Sequence, residues 1–218
     1  MNKFVPYILI GIAVIAGFFL KDYIGLSTEP GTKKSEDNGK IINQFESLLI
    51  YPKKNLIRNF SLKDQSANLF NNGSFKGKWN IIFSGYTNCP DVCPNTLNQM
   101  AQLYQLMDEN VRDDFQFIFL SVDPKRDTSD HLKQYIDYFH EDFVGITGEF
   151  SQIDILIKDL GGIYSINQEE GDYYTVDHSA RIFIVDPTAA RYGIFESSAL
   201  KASDKSQLAK DLVSMSSQ

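Results

Sequence analysis

The chain has 218 residues, 43% hydrophobic and 22% charged, so it can bury a core and is not a disordered tail. A formal net charge of −7 argues against binding nucleic acid through its phosphates, which needs a basic face. Two cysteines and three histidines exclude a multi-disulfide scaffold, a four-cysteine zinc or iron–sulfur site and a histidine-rich metal centre.

Residues 4–20, FVPYILIGIAVIAGFFL, are an unbroken apolar run between Lys3 and Lys21-Asp22. A helix of that length rises roughly 25 Å, the short end of a bilayer span. The run has no polar face, which argues against a buried core helix. The rival is a cleaved signal peptide, but no A-x-A site follows the run. A membrane anchor over residues 1–22 is therefore expected, and the small cationic flank at Lys3 favours an N-inside orientation. Residues 23–55 are expected to be a tether. Their first part, STEPGTKKSEDNGK, is polar with Gly and Pro, and IINQFESLL adds a short amphipathic piece. Residues 56–218 are left as the globular domain, enough chain for one core.

Within that domain, residues 80–86, NIIFSGY, read as a buried strand. Pro94 suits the first turn of a helix, along which Leu97, Met100, Ala101, Tyr104 and Met107 recur at helical spacing. Residues 115–122, FQFIFLSV, are a second buried strand. Residues 128–139 carry a helical pattern with Leu132, Tyr135, Ile136 and Phe139 on one side. Residues 150–160 predict a helix stopped at Gly161-Gly162. Residues 180–185, ARIFIV, are a third buried strand, with 191–195 pairing beside it, and 203–215 close the chain as a helix. Strands alternating with helices predict an α/β sheet covered on both faces.

Three features carry chemistry. The first is Cys89-Pro90-Asp91-Val92-Cys93-Pro94, between a buried strand and a helix. Such loops bind ligands in α/β folds, and a helix N-terminus favours a thiolate. At this spacing the two sulfurs share one side of an opening turn, able to close a disulfide or to grip one metal ion. A structural disulfide is the plainer reading, but a strand-to-helix turn flanked by prolines is an unusual place for a staple. The second feature is His178, entering the ARIFIV strand from a loop beside Asp177. Taken alone it reads as an ordinary surface or core imidazole. His131 and His140 read as surface residues. Two thiolates and an imidazole make a soft three-ligand set that suits Cu(I), with Cu(II) adding water or a carboxylate such as Asp91. Zinc would want a fourth protein ligand, and no oxygen cage for calcium or magnesium is present. The third feature is residues 121–128, SVDPKRDT, read mainly as a charged turn with Asp127 or Thr128 capping the next helix. Asp123, at a strand end on the same rim as the cysteines, is a candidate for supporting the ligands.

The stretches FKGKWNIIFSGYTNCPDVCPNTL, SVDPKRDT, FVGITG and YTVDHSARIFIVDP, in this order, resemble the Sco/SenC copper chaperones of cytochrome oxidase assembly. The pairing of CPDVCP with a distant VDHS carries the likeness. It implies a thioredoxin-like fold with an N-terminal transmembrane helix, and copper bound by Cys89, Cys93 and His178. It implies delivery to the dinuclear copper site of cytochrome c oxidase subunit II, with an upstream copper donor and a thioredoxin-like reductant as further partners. No Arg- and Ser-rich leader is present, which points to a single-pass protein of the bacterial inner membrane facing the periplasm. Asn88 stands where many relatives have a histidine, and Thr188-Ala189-Ala190 replaces an expected Gly-containing turn. On this reading the chain binds and delivers metal rather than catalysing. The alternatives are a thiol–disulfide reductase that keeps the oxidase cysteines reduced, with Cys89 attacking and Cys93 resolving, and a weaker peroxidase reading based on Cys89.

Overall fold

The computed structural model describes residues 45–168, 174–201 and 203–217. Among them no helix is long and apolar enough to cross a membrane. The anchor expected over residues 1–22, and the tether as far as residue 44, lie outside the described residues.

Ten strands and five helices make up the described chain. In order they are β1 (Leu49–Leu56), β2 (Ser61–Asp64), β3 (Leu69–Asn71), β4 (Trp79–Gly85), α1 (Val92–Leu106) and α2 (Glu109–Arg112). There follow β5 (Phe115–Ser121), α3 (Ser129–Asp137), β6 (Val144–Thr147), α4 (Phe150–Leu160), β7 (Tyr164–Gln168), β8 (Tyr174–His178), β9 (Arg181–Val185), β10 (Ala190–Glu196) and α5 (Lys205–Ser216). Eight strands form one mixed sheet in the order β1-β10-β9-β4-β5-β6-β2-β3, while β7 and β8 form a separate hairpin. The central strands β4, β5 and β6 run parallel, and β9 joins β4 antiparallel.

The period-two geometry of a strand sends alternate residues to opposite faces. Ile81 and Phe83 of β4, Phe117 and Phe119 of β5, and Ile182 and Ile184 of β9 meet α1, α3 and α5 on one face. Ile82, Ile118, Leu120, Phe183 and Val185 meet α4 on the other. Both faces being covered explains why these strands read as continuous apolar runs in the sequence. Helix α4 ends as its sequence suggests, with Gly161 in the left-handed region at φ 81°. Thr128, rather than Asp127, caps α3, accepting from the His131 amide.

The domain starts before residue 56, so the expected tether is shorter at its C-terminal end. Leu49–Leu56 is a sheet strand paired with β10. Ahead of it Phe45 and Leu48 are buried in the core, and the Ser47 amide donates to Asp211 of α5 at 2.8 Å. Pro52, Lys53 and Lys54 disguise β1 as a linker, yet Pro and Lys are what an edge strand tolerates and uses against unwanted pairing. The β9–β10 turn also departs from expectation. Ala189 adopts φ 64° where a glycine was expected. Asp186 holds the turn by accepting from the Thr188 and Ala190 amides and the Thr188 hydroxyl.

Two outcomes follow. Leu48→Ala should cost about 2–5 kcal/mol in urea unfolding, as for any buried leucine, whereas a residue of a true tether would cost nothing. Ala189→Gly should relieve about 1–2 kcal/mol of left-handed backbone cost against about 0.8 kcal/mol for the lost buried methyl. Its midpoint should therefore rise, by less than about 1 kcal/mol in stability; a fall would show that the turn gains nothing from relaxing φ.

Candidate metal centre

The parallel ladder aligns Gly85, the last residue of β4, with Ser121, the last of β5. The chain leaving β4 runs through Tyr86 to Cys89 and enters α1, with Cys93 in its first turn and Pro94 after it. Cys93 is completely buried and Cys89 partly exposed, and both are free thiols. A side chain at position 85 would put its Cβ 2.6 Å from Cys93 Sγ and 2.8 Å from the Phe119 ring. Glycine is required there for the sulfur to settle against the strand end.

His178 arrives from a different part of the chain. It ends β8 rather than sitting in a loop, and its ring packs against Phe83 at 5.7 Å and Tyr86 at 6.2 Å between centroids. Its Nδ1 lies 3.2 Å from the Ser179 carbonyl, which can only accept, so the proton is on Nδ1. That leaves the lone pair on Nε2, 3.4 Å from Cys93 Sγ. The ligand atoms of Cys89, Cys93 and His178 lie within 4.8 Å of one another. A backbone carbonyl fixing the tautomer behind the ligating nitrogen is the usual support of a metal-bound imidazole.

The two thiols differ sharply. The hydrogen bond from Cys93, opposed by partial burial, and the amides of Cys93 and Asp91 lower Cys89 to about 5. Cys93 is pushed far up, because it shares its proton with Cys89 and is buried. The two sulfurs thus share one proton, at a helix N-terminus where amides and the dipole favour negative charge.

The other candidates fall outside the cluster. Asp91 Oδ1 accepts from Asn95 Nδ2 at 2.5 Å and is not among the converging groups. Asp177 is exposed and pairs with Asn167 across the hairpin. Asn88 is exposed, in contact with Thr87. His131 is exposed as expected, but His140 stacks on Phe143, meets Tyr104 edge-on and is half-buried. Asp127, read as a cap, is instead buried behind the cysteine loop. It accepts from the Thr87 amide at 3.0 Å, the Thr87 hydroxyl at 2.6 Å and the Ser121 hydroxyl at 2.6 Å. Burial pushes its carboxyl up, against the pull of those donors. Tyr86, Arg126 and Tyr174 were not singled out as site residues; Arg126, just after the apolar run FQFIFLSV, and Tyr86, closing NIIFSGY, sit at strand ends, while nothing local marks Tyr174.

The residues present suit a soft, monovalent metal ion: two sulfurs and one neutral nitrogen, one sulfur already a thiolate, with no carboxylate among them.

The comparisons agree with this geometry. Residues 50–216 match the SCO1/SenC family model. A Stutzerimonas stutzeri protein named for copper binding is 35% identical over 158 residues, covering 72% of this chain and 76% of that protein. An SCO2-like protein of Rickettsia felis is 36% identical over 129 residues, 58% of this chain and 62% of its own. Among solved structures, copper-bound ScoI of Bradyrhizobium japonicum superposes with a TM-score of 0.65 at 33% identity, covering 72% of this chain and 98% of its own. Apo Sco1 of Thermus thermophilus gives 0.68 at 26%, covering 78% and 98%. The mixed α/β architecture is the thioredoxin-like Sco fold, and the chain belongs to the SCO1/SenC family.

Proposed function

We propose that this chain is a copper metallochaperone. It binds copper through Cys89, Cys93 and His178 and passes it to the dinuclear copper site of cytochrome c oxidase subunit II. The reading extends to a bacterial inner-membrane protein, anchored by residues 1–22, with its domain in the periplasm. The observation that carries the copper part is the convergence of three soft donors within 4.8 Å from segments 85 residues apart. The copper-bound neighbours and the family's link to oxidase assembly support the delivery, and the apolar run of residues 4–20 is what motivates the anchor.

The residues divide the work. Cys89, already a thiolate and partly exposed, is the donor that a partner's ligand reaches first. Cys93 is completely buried and gives up its proton when the ion enters, so loading releases a proton. His178 presents Nε2 to Cys93 and completes the set. A cavity of about 470 Å³ lined by Ile163, Tyr164, His178, Ser179 and Arg181 flanks it. An ion held by three donors with one edge accessible can leave by stepwise ligand exchange with an incoming thiolate or imidazole.

The unequal thiols also favour a second reading, a thiol–disulfide reductase acting on the recipient's cysteines. The Cys89 thiolate attacks one sulfur of a recipient disulfide, and the other sulfur leaves as a thiolate and takes a proton. Cys93 then resolves the mixed disulfide. The recipient gains two electrons, and this chain ends as a Cys89–Cys93 disulfide that needs an external dithiol reductant.

Copper stoichiometry on the reduced chain separates the two. One tightly held Cu(I), much weakened in Cys89→Ser, Cys93→Ser and His178→Ala, is the chaperone's result. Copper indifferent to His178→Ala, or none at all, gives the site to the reductase. A pH series of alkylation tests the acidity both readings use. Cys89 should react with iodoacetamide with a midpoint near pH 5, and Cys93→Ala should move that midpoint upward, because the Cys93 hydrogen bond is the largest cause of the depression. An unmoved midpoint would show that the helix amides alone make Cys89 acidic.

A further inference from the structure

Asp123 follows β5 on the rim of the site and is completely buried. A carboxylate out of water is costly unless paired and hydrogen-bonded. Asp123 is paired twice over. Arg126 Nε donates to one oxygen, and the Tyr174 hydroxyl donates to the other at 2.7 Å. Arg126 holds Tyr174 a second and third time: Nη1 donates to the Tyr174 carbonyl at 3.2 Å, and the guanidinium sits 3.8 Å from the Tyr174 ring centroid. It also lies 5.4 Å from the Tyr86 ring centroid. Arg126 Nη2 is buried without a hydrogen-bond partner, at a cost of about 1–3 kcal/mol. The group is therefore built around Tyr174 rather than around saturating the arginine.

Tyr174 opens β8, and His178 ends it. Residues 174, 176 and 178 share one face of the strand. On that face Tyr174 meets Asp123, Val176 is buried in the core and His178 reaches Cys93. The hairpin pairs with no strand of the main sheet, and an isolated two-stranded hairpin is marginal in water. At its His178 end the hairpin runs directly into β9; at its other end these contacts, together with the Tyr164 hydroxyl donating to Asp154 of α4 at 2.8 Å, hold it against the domain. The same loop, through Asp127 and Thr87, holds the cysteine segment.

We propose that Asp123, Arg126 and Tyr174 are positioning residues: a clamp from the end of β5 that holds β8 so that His178 Nε2 meets the two sulfurs. None of the three touches the metal. Opening the clamp leaves a two-thiolate site with an untethered third ligand. This inference rests on the copper reading for its binding consequence, but not for the hairpin's position.

The test uses the reduced full-length chain with Arg126→Gln, Arg126→Lys, Tyr174→Phe, His178→Ala and the double variant Arg126→Gln/His178→Ala. Cu(I) affinity is measured by competition with a chromophoric chelator. Nitrogen ligation is measured by X-ray absorption, and amide exchange of Tyr174–His178 on metal-free protein. Arg126→Gln should weaken Cu(I) binding about 10- to 100-fold, as loss of a ligand's support does, with loss of the nitrogen signal and faster exchange in β8. Arg126→Lys, which keeps the charge on Asp123 but not the fork or the stack, should recover part of the loss. Tyr174→Phe should move each readout the same way by a smaller step, and it carries the test if Arg126→Gln does not fold. In the His178→Ala background Arg126→Gln should cost nothing further. An equal cost there would show a general structural role and overturn the clamp, as would unchanged nitrogen ligation with unchanged exchange. If His178→Ala itself leaves binding unchanged, the copper reading fails, and exchange in the metal-free chain still decides whether the clamp holds the hairpin.

Discussion

The parallel register of β4 against β5 is the constraint on which the site depends. It places Gly85 opposite Ser121, so the two strands release their chains side by side on one rim. The β4 side supplies the cysteine segment, and the β5 side supplies Asp123, Arg126 and Asp127. A slip of one residue would carry Phe83 and Phe119 to the wrong face and take the Asp127 carboxylate away from Thr87. Coverage of both sheet faces opposes that slip, because the apolar residues of these strands are packed on both faces.

With the rim in place, the chemistry follows from unequal surroundings for similar groups. Cys89 receives hydrogen bonds at the helix N-terminus and is a thiolate near neutral pH, while Cys93 keeps its proton among Gly85, Phe119 and the imidazole. His178 has one nitrogen committed to a backbone carbonyl and the other free. The same inequality suits metal loading and disulfide exchange, since both begin at an accessible thiolate backed by a buried thiol. The histidine separates them: it is needed to complete a soft metal site and has no part in passing electrons between sulfurs.

The polar groups under this rim are an expense the fold carries for geometry. Asp123 and Asp127 are fully buried carboxylates, and Arg126 leaves one nitrogen unsatisfied. Replacing such groups by apolar ones is often neutral or stabilising, so their contribution to stability does not explain their presence. Their directionality does. Asp127 draws in the loop that carries Cys89, and Asp123 with Arg126 draws in the strand that carries His178. One eight-residue stretch thereby couples two halves of a site that share no neighbouring sequence.

β4, β5 and β9, with α1, α3, α4 and α5, were legible in the sequence because they are buried or amphipathic enough for periodicity to show, and Gly161 marked its helix end; the short β6 was not. Cys89 and Cys93 were legible as a pair because four residues of local chain bring them together. The edge and hairpin strands were not. β1, with Pro52 and its lysines, and the exposed β7 and β8 carry no apolar run, since their partners are backbone groups rather than a core. His178 was legible as a candidate ligand from its place ahead of the ARIFIV strand and from the family resemblance, and Asp127 read as a cap. What the chain's own order determines is the local chemistry of the cysteine turn and which segments are buried. What only the tertiary structure decides is that His178 meets Cys93 and that Asp123 and Asp127 face opposite halves of one site. Those contacts span 40 to 85 residues and depend on strand register and a tyrosine–arginine stack, neither of which leaves a periodic trace in the sequence.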